Sequence, residues 1–368
     1  MSGFDEKIMK RAIQLARKGV GRTSPNPAVG CVIVRNGETV GEGWHRKAGT
    51  PHAEVHALKE AGGRARGADL YVTLEPCSHF GKTPPCAEAV AAAGISRVFI
   101  GMIDPNPLVS GRGVERLRKS GIKVEAGLCE AGCRALNLPF IKHVTTGLPY
   151  VTMKSAMTMD GKTATLSGDS RWITSESSRK LVHSLRGSVD AVLTGSGTLL
   201  ADDPQLTVRM TRGKNPVRVV VDSSLQTPVD CRLMSEAGKT PVIIATISSD
   251  QAKAVALAEK GAELLICRDK GGAVDLDDLL ARLGSRGIQS ILLEGGERLC
   301  GEMFRHRLID RFLFFYAPRI LGGEGKGLFA GAGASFMKDA YPLAIRKVSR
   351  VGADILVEAC PEGECSQV

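Results

Sequence analysis

The sequence predicts an α/β protein of two domains, and three observations lead there. Segments rich in Val, Ile, Leu or Phe alternate from end to end with segments of helical period. The chain has 368 residues, more than one core usually organises on the loose guide of about 150 per domain. A stretch around Thr145, Gly147 and Pro149 interrupts the alternation. The boundary is placed there, giving domains over residues 1–146 and 147–368.

Element by element, the N-terminal MSGFDEKIMKRAIQLARKG reads as an amphipathic helix, with Ile8, Ala12 and Leu15 on one face and Gly19 as its stop. AVGCVIV and ETVGEGW flank Asn36 and Gly37, a hairpin turn. HAEVHALKEAG is a helix, ADLYVTLEP a buried strand and CAEAVAAAG another helix, and RVFIGMID, GVERLRKSG and KVEAG continue the series. The second domain opens on the strand YVTMKSAMT. VDAVLTG, VRVVVD, PVIIAT, AELLICR, QSILLEGG and RFLFFYAP follow as strands, with helices such as DQAKAVALAEKG and LDDLLARLGSRG between some of them. TGSGTLLADDPQLTVR reads as a long polar loop, and PEGECSQV as a frayed tail.

Composition narrows the partners. A hydrophobic fraction of 43% and a charged fraction of 24% are ordinary for a soluble globular protein. No apolar run approaches the roughly 20 residues that span a bilayer. Charges break up the apolar positions of the N-terminus, unlike a secretory signal. A cytoplasmic protein with its ten cysteines reduced is the expectation. The net charge of +10 comes without a dense Lys/Arg run, and aromatics at 4% are thin for stacking bases. Neither nucleic acid nor membrane is expected, and phosphate-bearing metabolites fit best.

The strongest chemical signal lies in PHAEVHAL and EPCSHFGKTPPC. His52, Cys77 and Cys86 offer one imidazole and two thiolates, which fill three tetrahedral positions of Zn²⁺ and leave the fourth for water. Glu54, not itself a ligand, is placed to shuttle protons. Two residues apart in a helix interior point about 200° from each other. At a helix start the chain is still turning, so His52 and Glu54 reach one pocket, and Pro51 suits that entry. Cys86 opens a helix whose dipole favours a thiolate, and Cys77 is a candidate for another such end. Alone, His52 would more often be structural and Cys77 a small buried hydrophobe. Together with Pro76 in the His-x-Glu…Pro-Cys order they match zinc nucleobase deaminases. Cys129 and Cys133, and Cys360 and Cys365, have no histidine at close ligand spacing, and His56 and His79 are read as supporting or surface residues. In the second half, LLEGGERLCGEMF gives a softer signal: strand, Gly pair and helix start, suited to a phosphate but common in ordinary turns.

PNPAVGCVIV, GEGWHRKAGTPHAEVHAL, YVTLEPCSHFGKTPPC and DPNPLVSGRG resemble the deaminase half of bifunctional riboflavin-biosynthesis deaminase-reductases. The eight residues between Cys77 and Cys86, longer than the gap of most nucleobase deaminases, are the spacing of that family. MKSAMTMDGKTA, SGDSRWITS, ADDPQLTVR and LLEGGERL resemble its reductase half. The resemblance spans essentially the whole chain. It implies an N-terminal cytidine-deaminase-like three-layer domain and a C-terminal dihydrofolate-reductase-like domain. It further implies one Zn²⁺ per chain, NADPH, and a diamino-pyrimidinone substrate carrying a phosphoribosylamino group. That substrate would lose its 2-amino group as ammonia, with Glu54 as shuttle, and its ribosyl chain would then be reduced to ribityl.

By the same resemblance Asn26 contacts the deaminase substrate. Ala156, Trp172, Thr198, Asp202, Ser223 and the run Gly296, Glu297, Arg298, Leu299, Cys300, Gly301 and Glu302 contact NADPH. Ser170, Arg186, Leu206, Arg209 and Glu294 contact the reductase substrate, and Lys154 and Glu294 flank the ribose that is reduced. The residue types suit these roles: Lys154 polarises the reacting centre, Glu294 positions a hydroxyl or handles a proton, and Arg186 and Arg209 hold phosphate. Simpler readings exist for several, such as Asn26 in a turn, Arg186 complementing a helix end, Trp172 in a core, or Asp202 and Asp203 capping a loop. A nucleic-acid base deaminase would leave the second half without a role. A purely structural zinc module would want a fourth protein ligand. With every motif position intact in both halves, two working sites are expected, and the resemblance implies a homo-oligomer, a dimer or tetramer, assembled through the reductase domain.

Overall fold

The structure, a computed structural model, describes residues 2–78, 85–107 and 109–363. The chain divides into two compact units, one ending at Gly147 and one starting at Leu148.

In the first unit α1 (Gly3–Arg17) starts at Ser2, whose hydroxyl accepts from the Asp5 amide while the Asp5 carboxylate accepts from the Ser2 amide. It buries Ile8, Met9, Ala12, Ile13, Leu15 and Ala16. The hairpin of β1 (Gly30–Arg35) and β2 (Glu38–Trp44) turns at Asn36 and Gly37, both at positive φ as a type I′ turn requires. Then come α2 (Ala53–Ala61), β3 (Asp69–Leu74), α3 (Cys86–Ala92), β4 (Arg97–Met102), α4 (Arg112–Lys119), β5 (Lys123–Ala126), α5 (Glu130–Leu136) and α6 (Leu138–Thr146). The sheet runs β2-β1-β3-β4-β5, with the β1 pairings antiparallel and the rest parallel.

Helices cover both faces of this sheet. A Cβ on Gly30 would lie 2.0 Å from the Ala12 carbonyl oxygen in α1, and one on Gly43 would lie 2.2 Å from that of Ala53 in α2. Gly43 pairs with Cys31, the neighbour of Gly30, so the two glycines face opposite layers. Thr145, expected in a loop, is in the last turn of α6. The Thr145 and Thr146 hydroxyls donate back to the carbonyls of Ile141 and Lys142 at 2.8 and 2.7 Å, and Gly147 at φ 76° ends the helix.

The second unit contains β6 (Tyr150–Thr158), β7 (Ala164–Thr165), α7 (Glu176–Arg186), β8 (Ala191–Gly195), α8 (Ser196–Asp202), β9 (Val217–Val221), β10 (Val242–Thr246) and α9 (Gln251–Glu259). It continues with β11 (Ala262–Ile266), α10 (Leu276–Ser285), β12 (Ser290–Leu293), α11 (Glu297–Arg305), β13 (Arg311–Ala317), β14 (Gly325–Lys326), β15 (Leu343–Val351) and β16 (Asp354–Pro361). Nine strands form one sheet in the order β11-β10-β9-β8-β12-β6-β13-β16-β15, parallel from β11 to β13. β12 is inserted between β8 and β6, which brings the C-terminal ends of three chain-distant segments side by side.

Two features differ from expectation. The stretch read as a polar loop contains α8, anchored by the buried Leu199. The antiparallel hairpin of β15 and β16 goes unannounced in the sequence, because β15 is a largely exposed strand without a clean apolar alternation. Among the described residues eight cysteines are free and Cys360 is disulfide-bonded, a departure from thiols reduced throughout. His79 and Cys365 lie outside the described residues.

Candidate active sites

In the first unit, His52 is the extended residue that caps α2, and Glu54 is buried in that helix's first turn. Cys77 lies just beyond β3, and Cys86 is the first residue of α3. The His52 Nδ1 and the two Sγ atoms all lie within 4.8 Å of one another. His52 Nδ1 is 3.2 Å from Cys86 Sγ and 3.7 Å from Cys77 Sγ. The Cys86 amide donates to Cys77 Sγ at 3.3 Å, so one helix start serves both sulfurs. Glycine at position 43 makes this possible, because only a residue without Cβ lets β2 carry the N-terminus of α2 so closely.

Electrostatics sets the roles apart. Burial, and then the Cys77 sulfur, push the Glu54 carboxyl up to about 7. Its Oε2 is buried and has no hydrogen-bond partner. The hydrogen bond with Cys86 lowers the pKa of Cys77, and the same bond, together with burial, raises that of Cys86. Two soft donors, one imidazole and a carboxylate with one unpartnered oxygen beside them fit a Zn²⁺ ion and its water.

Asn26 reaches this region through His45. Its Nδ2 lies 3.2 Å from His45 Nε2, and His45 Nδ1 lies 3.2 Å from the Pro51 carbonyl. A carbonyl only accepts, so Nδ1 carries the proton and Nε2 accepts from Asn26. The His45 ring stands edge-on to His52 at 5.0 Å between centroids. Sequence reasoning passed over His45 although it lies inside GEGWHRKAGTPHAE. It also passed over Glu75, whose carboxylate accepts backbone N–H groups from Asp104, Gly111, Gly113 and Val114 at 2.8–3.1 Å. Glu75 thereby fixes the end of β3 that leads to Cys77, and its place before Pro76 was the available signal. His56, near the motif, is half-buried, with its Nε2 unpartnered.

In the second unit a cavity of about 1280 Å³ opens at the C-terminal ends of β6, β8, β9 and β12. Glu294 follows β12 and Lys154 lies on the adjacent β6. Lys154 Nζ is 3.4 Å from Glu294 Oε2, while Arg186 at the end of α7 donates Nε to Oε1 at 2.6 Å and Nη2 to Oε2 at 3.1 Å. Burial opposes ionisation of Glu294, but Arg186 and then Lys154 outweigh it and hold the carboxyl down at about 2. The Arg186 fork, expected on a phosphate, thus holds this carboxylate.

The remaining positions gather around the same space. Ala156, Ser170, Trp172, Thr198, Asp202 and Ser223 all line the cavity, as do Leu206, Arg209 and the run from Gly296 to Leu299 with Glu302. Cys300 and Gly301 do not. Their face of α11 is buried, and a Cβ on Gly301 would lie 2.3 Å from the Ala330 carbonyl oxygen. The first amides of α11 have no side-chain cap, which leaves donors at the edge of this cavity. Trp172 is exposed rather than core, with the Arg179 guanidinium 4.6 Å over its ring. Asp203 accepts from the Arg232 amide at 2.8 Å. Leu206 is buried at φ 55°, a conformation that costs a non-glycine residue about 1–3 kcal/mol and turns the chain into the cavity. His183, which sequence reasoning missed, is buried on α7 and accepts from the Arg209 amide through Nδ1 at 3.0 Å. Burial, then Arg186 and Arg209, push it down to about 4, so it is neutral.

Comparison with known proteins follows the same division. Residues 2–102 match the cytidine and deoxycytidylate deaminase zinc-binding region, and residues 149–357 match the RibD C-terminal domain. The class is an enzyme that joins a deaminase of cytidine-deaminase-like fold to a reductase domain of dihydrofolate-reductase-like fold. The riboflavin biosynthesis protein RibD of Actinobacillus pleuropneumoniae is 45% identical, over 96% of this chain and 94% of its own. The structure of Acinetobacter baumannii RibD in its first form superposes with a TM-score of 0.88 at 38% identity, covering 97% of this chain and 99% of that one. A Thermotoga maritima diaminohydroxyphosphoribosylaminopyrimidine deaminase/5-amino-6-(5-phosphoribosylamino)uracil reductase superposes at 0.87 with 39% identity and the same coverage. The chain belongs to the RibD family of bifunctional riboflavin-biosynthesis deaminase-reductases. Among the described residues no helix is long and apolar enough to cross a membrane.

Proposed function

We propose that residues 1–146 deaminate 2,5-diamino-6-(5-phosphoribosylamino)pyrimidin-4(3H)-one. Residues 147–368 then reduce the product with NADPH to 5-amino-6-(5-phosphoribitylamino)uracil. The observation that carries the first half is the buried Glu54, its Oε2 without a hydrogen-bond partner, beside the His52, Cys77 and Cys86 donors. These three would hold Zn²⁺, which lowers the pKa of a water in the open fourth position. Glu54 takes a proton from the attacking water and delivers it to the departing amino nitrogen. The water oxygen first bonds to the ring carbon; once the amino nitrogen has received the proton, the C–N bond breaks and ammonia leaves. A carboxyl raised toward neutrality both accepts and gives a proton at little cost. Asn26, fixed by His45, orients the pyrimidine.

In the second half, ring opening exposes a C=N bond at the anomeric carbon, and NADPH supplies the hydride that reduces it. Ala156, Trp172, Thr198, Asp202, Ser223 and the start of α11 from Gly296 to Glu302 would hold the dinucleotide, with Cys300 and Gly301 acting from behind through the helix. Lys154 donates toward the reacting nitrogen. Glu294, kept ionised by Arg186, steadies the Lys154 ammonium and accepts from a ribose hydroxyl. Ser170, Leu206 and Arg209 contact the substrate, and Arg186 reaches it beside Glu294. The enzyme works in the cytoplasm as a homo-oligomer on a phosphorylated small molecule.

The test is to measure zinc in the purified protein and incubate it with the diamino-pyrimidinone ribotide, following ammonia with and without NADPH. Ammonia without NADPH, then NADPH consumption by the product, is the expected result. Bound zinc with no ammonia would overturn the deaminase assignment.

A further inference from the structure

Asn26 sits in PNPAV, a stretch between α1 and β1 that belongs to no helix or strand. The buried main chain of such a stretch needs partners from elsewhere in the fold. Ala28, buried two residues after Asn26, finds both of its partners in one side chain. Its amide donates to Asn137 Oδ1 at 2.8 Å, and its carbonyl accepts from Asn137 Nδ2 at 3.0 Å. Asn137 is buried and lies 109 residues further along the chain.

Asn137 is itself firmly placed. Its main chain joins α5 to α6, with the amide donating to the Arg134 carbonyl at 2.9 Å and the carbonyl accepting from the Ile141 amide at 2.8 Å. An asparagine at a helix start ordinarily turns its side chain onto the first amides of that helix. Asn137 makes no such cap on α6, where Pro139 has no N–H to offer. Its carboxamide goes to Ala28 instead.

The hold on Ala28 carries over to Asn26 because the link between them is stiff. Pro27 has a fixed φ, and the residue before a proline is confined to extended backbone. The Asn26 amide closes a turn on the Thr23 carbonyl at 2.8 Å. At the other end the Val29 carbonyl accepts from the His45 amide at 2.9 Å, and the Gly30 amide donates to Thr73 Oγ1 at 3.1 Å. Asn137 holds the middle of the stretch. We infer that Asn137 is a positioning residue for the deaminase, which acts through Ala28 and Pro27 to set where Asn26 presents its carboxamide to the pyrimidine. This rests on the deaminase reading above, in which Asn26 orients the ring. Displacing such a group by about 1 Å costs on the order of 100-fold in rate.

The test is a double-mutant cycle on the zinc-loaded full chain, with Asn137→Ala, Asn26→Ala and the pair. The activity read is kcat/KM for ammonia release from the diamino-pyrimidinone ribotide. Each single variant is expected to lose about 10- to 100-fold with zinc content unchanged, and the pair to lose no more than about threefold beyond Asn26→Ala. Amide exchange supplies a readout without turnover. In Asn137→Ala the Asn26 amide should exchange at least about tenfold faster, while the β3 amides, which report opening of the whole unit, shift by less than about threefold. Asn137→Asp keeps the shape and the acceptor for the Ala28 amide. It should retain part of the activity lost in Asn137→Ala, and it takes that variant's place in the cycle if the alanine protein does not fold. Losses that multiply in the pair overturn the inference, as does exchange at Asn26 that is unchanged or quickens equally in β3. Faster exchange at Asn26 alone, with full ammonia release by Asn26→Ala, overturns the substrate role of Asn26 and leaves Asn137 as the anchor of the stretch.

Discussion

Glu294→Gln probes the centre of the second unit. The variant keeps the shape of the side chain but removes the charge that Arg186 meets at 2.6 and 3.1 Å and Lys154 at 3.4 Å. The wild-type carboxyl falls from 4.5 to about 2, which at about 1.4 kcal/mol per tenfold ties roughly 3 kcal/mol of folding free energy to its ionisation. Breaking a buried pair by removing one partner costs about 3–5 kcal/mol, and the remaining amide oxygen offsets part of that. A loss of roughly 2–4 kcal/mol at pH 7 is therefore expected. The folded pKa is depressed, so the stabilisation is complete above the ordinary carboxyl value and is lost as pH falls from 4.5 through about 2. The gap between wild type and variant should already be smaller by about 1 kcal/mol at pH 4. Native-state hydrogen exchange of β12 amides reports the second unit alone, and comparing both proteins at one pH cancels the intrinsic rates. Equal protection in the two proteins at pH 7, or a gap that widens on acidification, would refute the assignment of Glu294 as the ionised partner of Arg186 and Lys154.

Three further outcomes are expected. Glu54→Gln should keep one zinc per chain by elemental analysis and lose at least about 100-fold in ammonia release, while NADPH oxidation with the pre-deaminated substrate persists. A fall in zinc content would instead mark Glu54 as a ligand. Lys154→Ala should do the reverse, abolishing NADPH-dependent reduction and sparing ammonia release. Equal loss of both activities in the folded protein would count against separate sites. Gly43→Ala places a methyl 2.2 Å from the Ala53 carbonyl oxygen. It should lower the melting temperature of the first unit, at a cost of about 1–3 kcal/mol, and weaken zinc retention against a chelator. Unaltered zinc affinity would mean that α2 does not need the close approach to β2.

Much of the first site was legible along the chain because its parts are local. His52 and Glu54 share a helix start, and Cys77 and Cys86 bracket one short connection. Asn36 and Gly37 specify their turn by backbone preference alone, and most strands carry their own apolar pattern. What sequence left open were contacts between segments far apart. Lys154 and Arg186 precede Glu294 by 140 and 108 residues, and only the insertion of β12 between β8 and β6 makes them one charge cluster. That insertion is a matter of sheet order, which no local pattern encodes. The same holds for Arg218, which reads as an ordinary strand arginine until the carbonyls of four other residues close around it. Periodicity and motif spacing determined the α/β class, the deaminase constellation and the family resemblance, because backbone propensity and ligand chemistry act within a few residues. The tertiary structure decided which charges neutralise each other and which stay unpaired, because electrostatic partnership depends on distance through space and on burial.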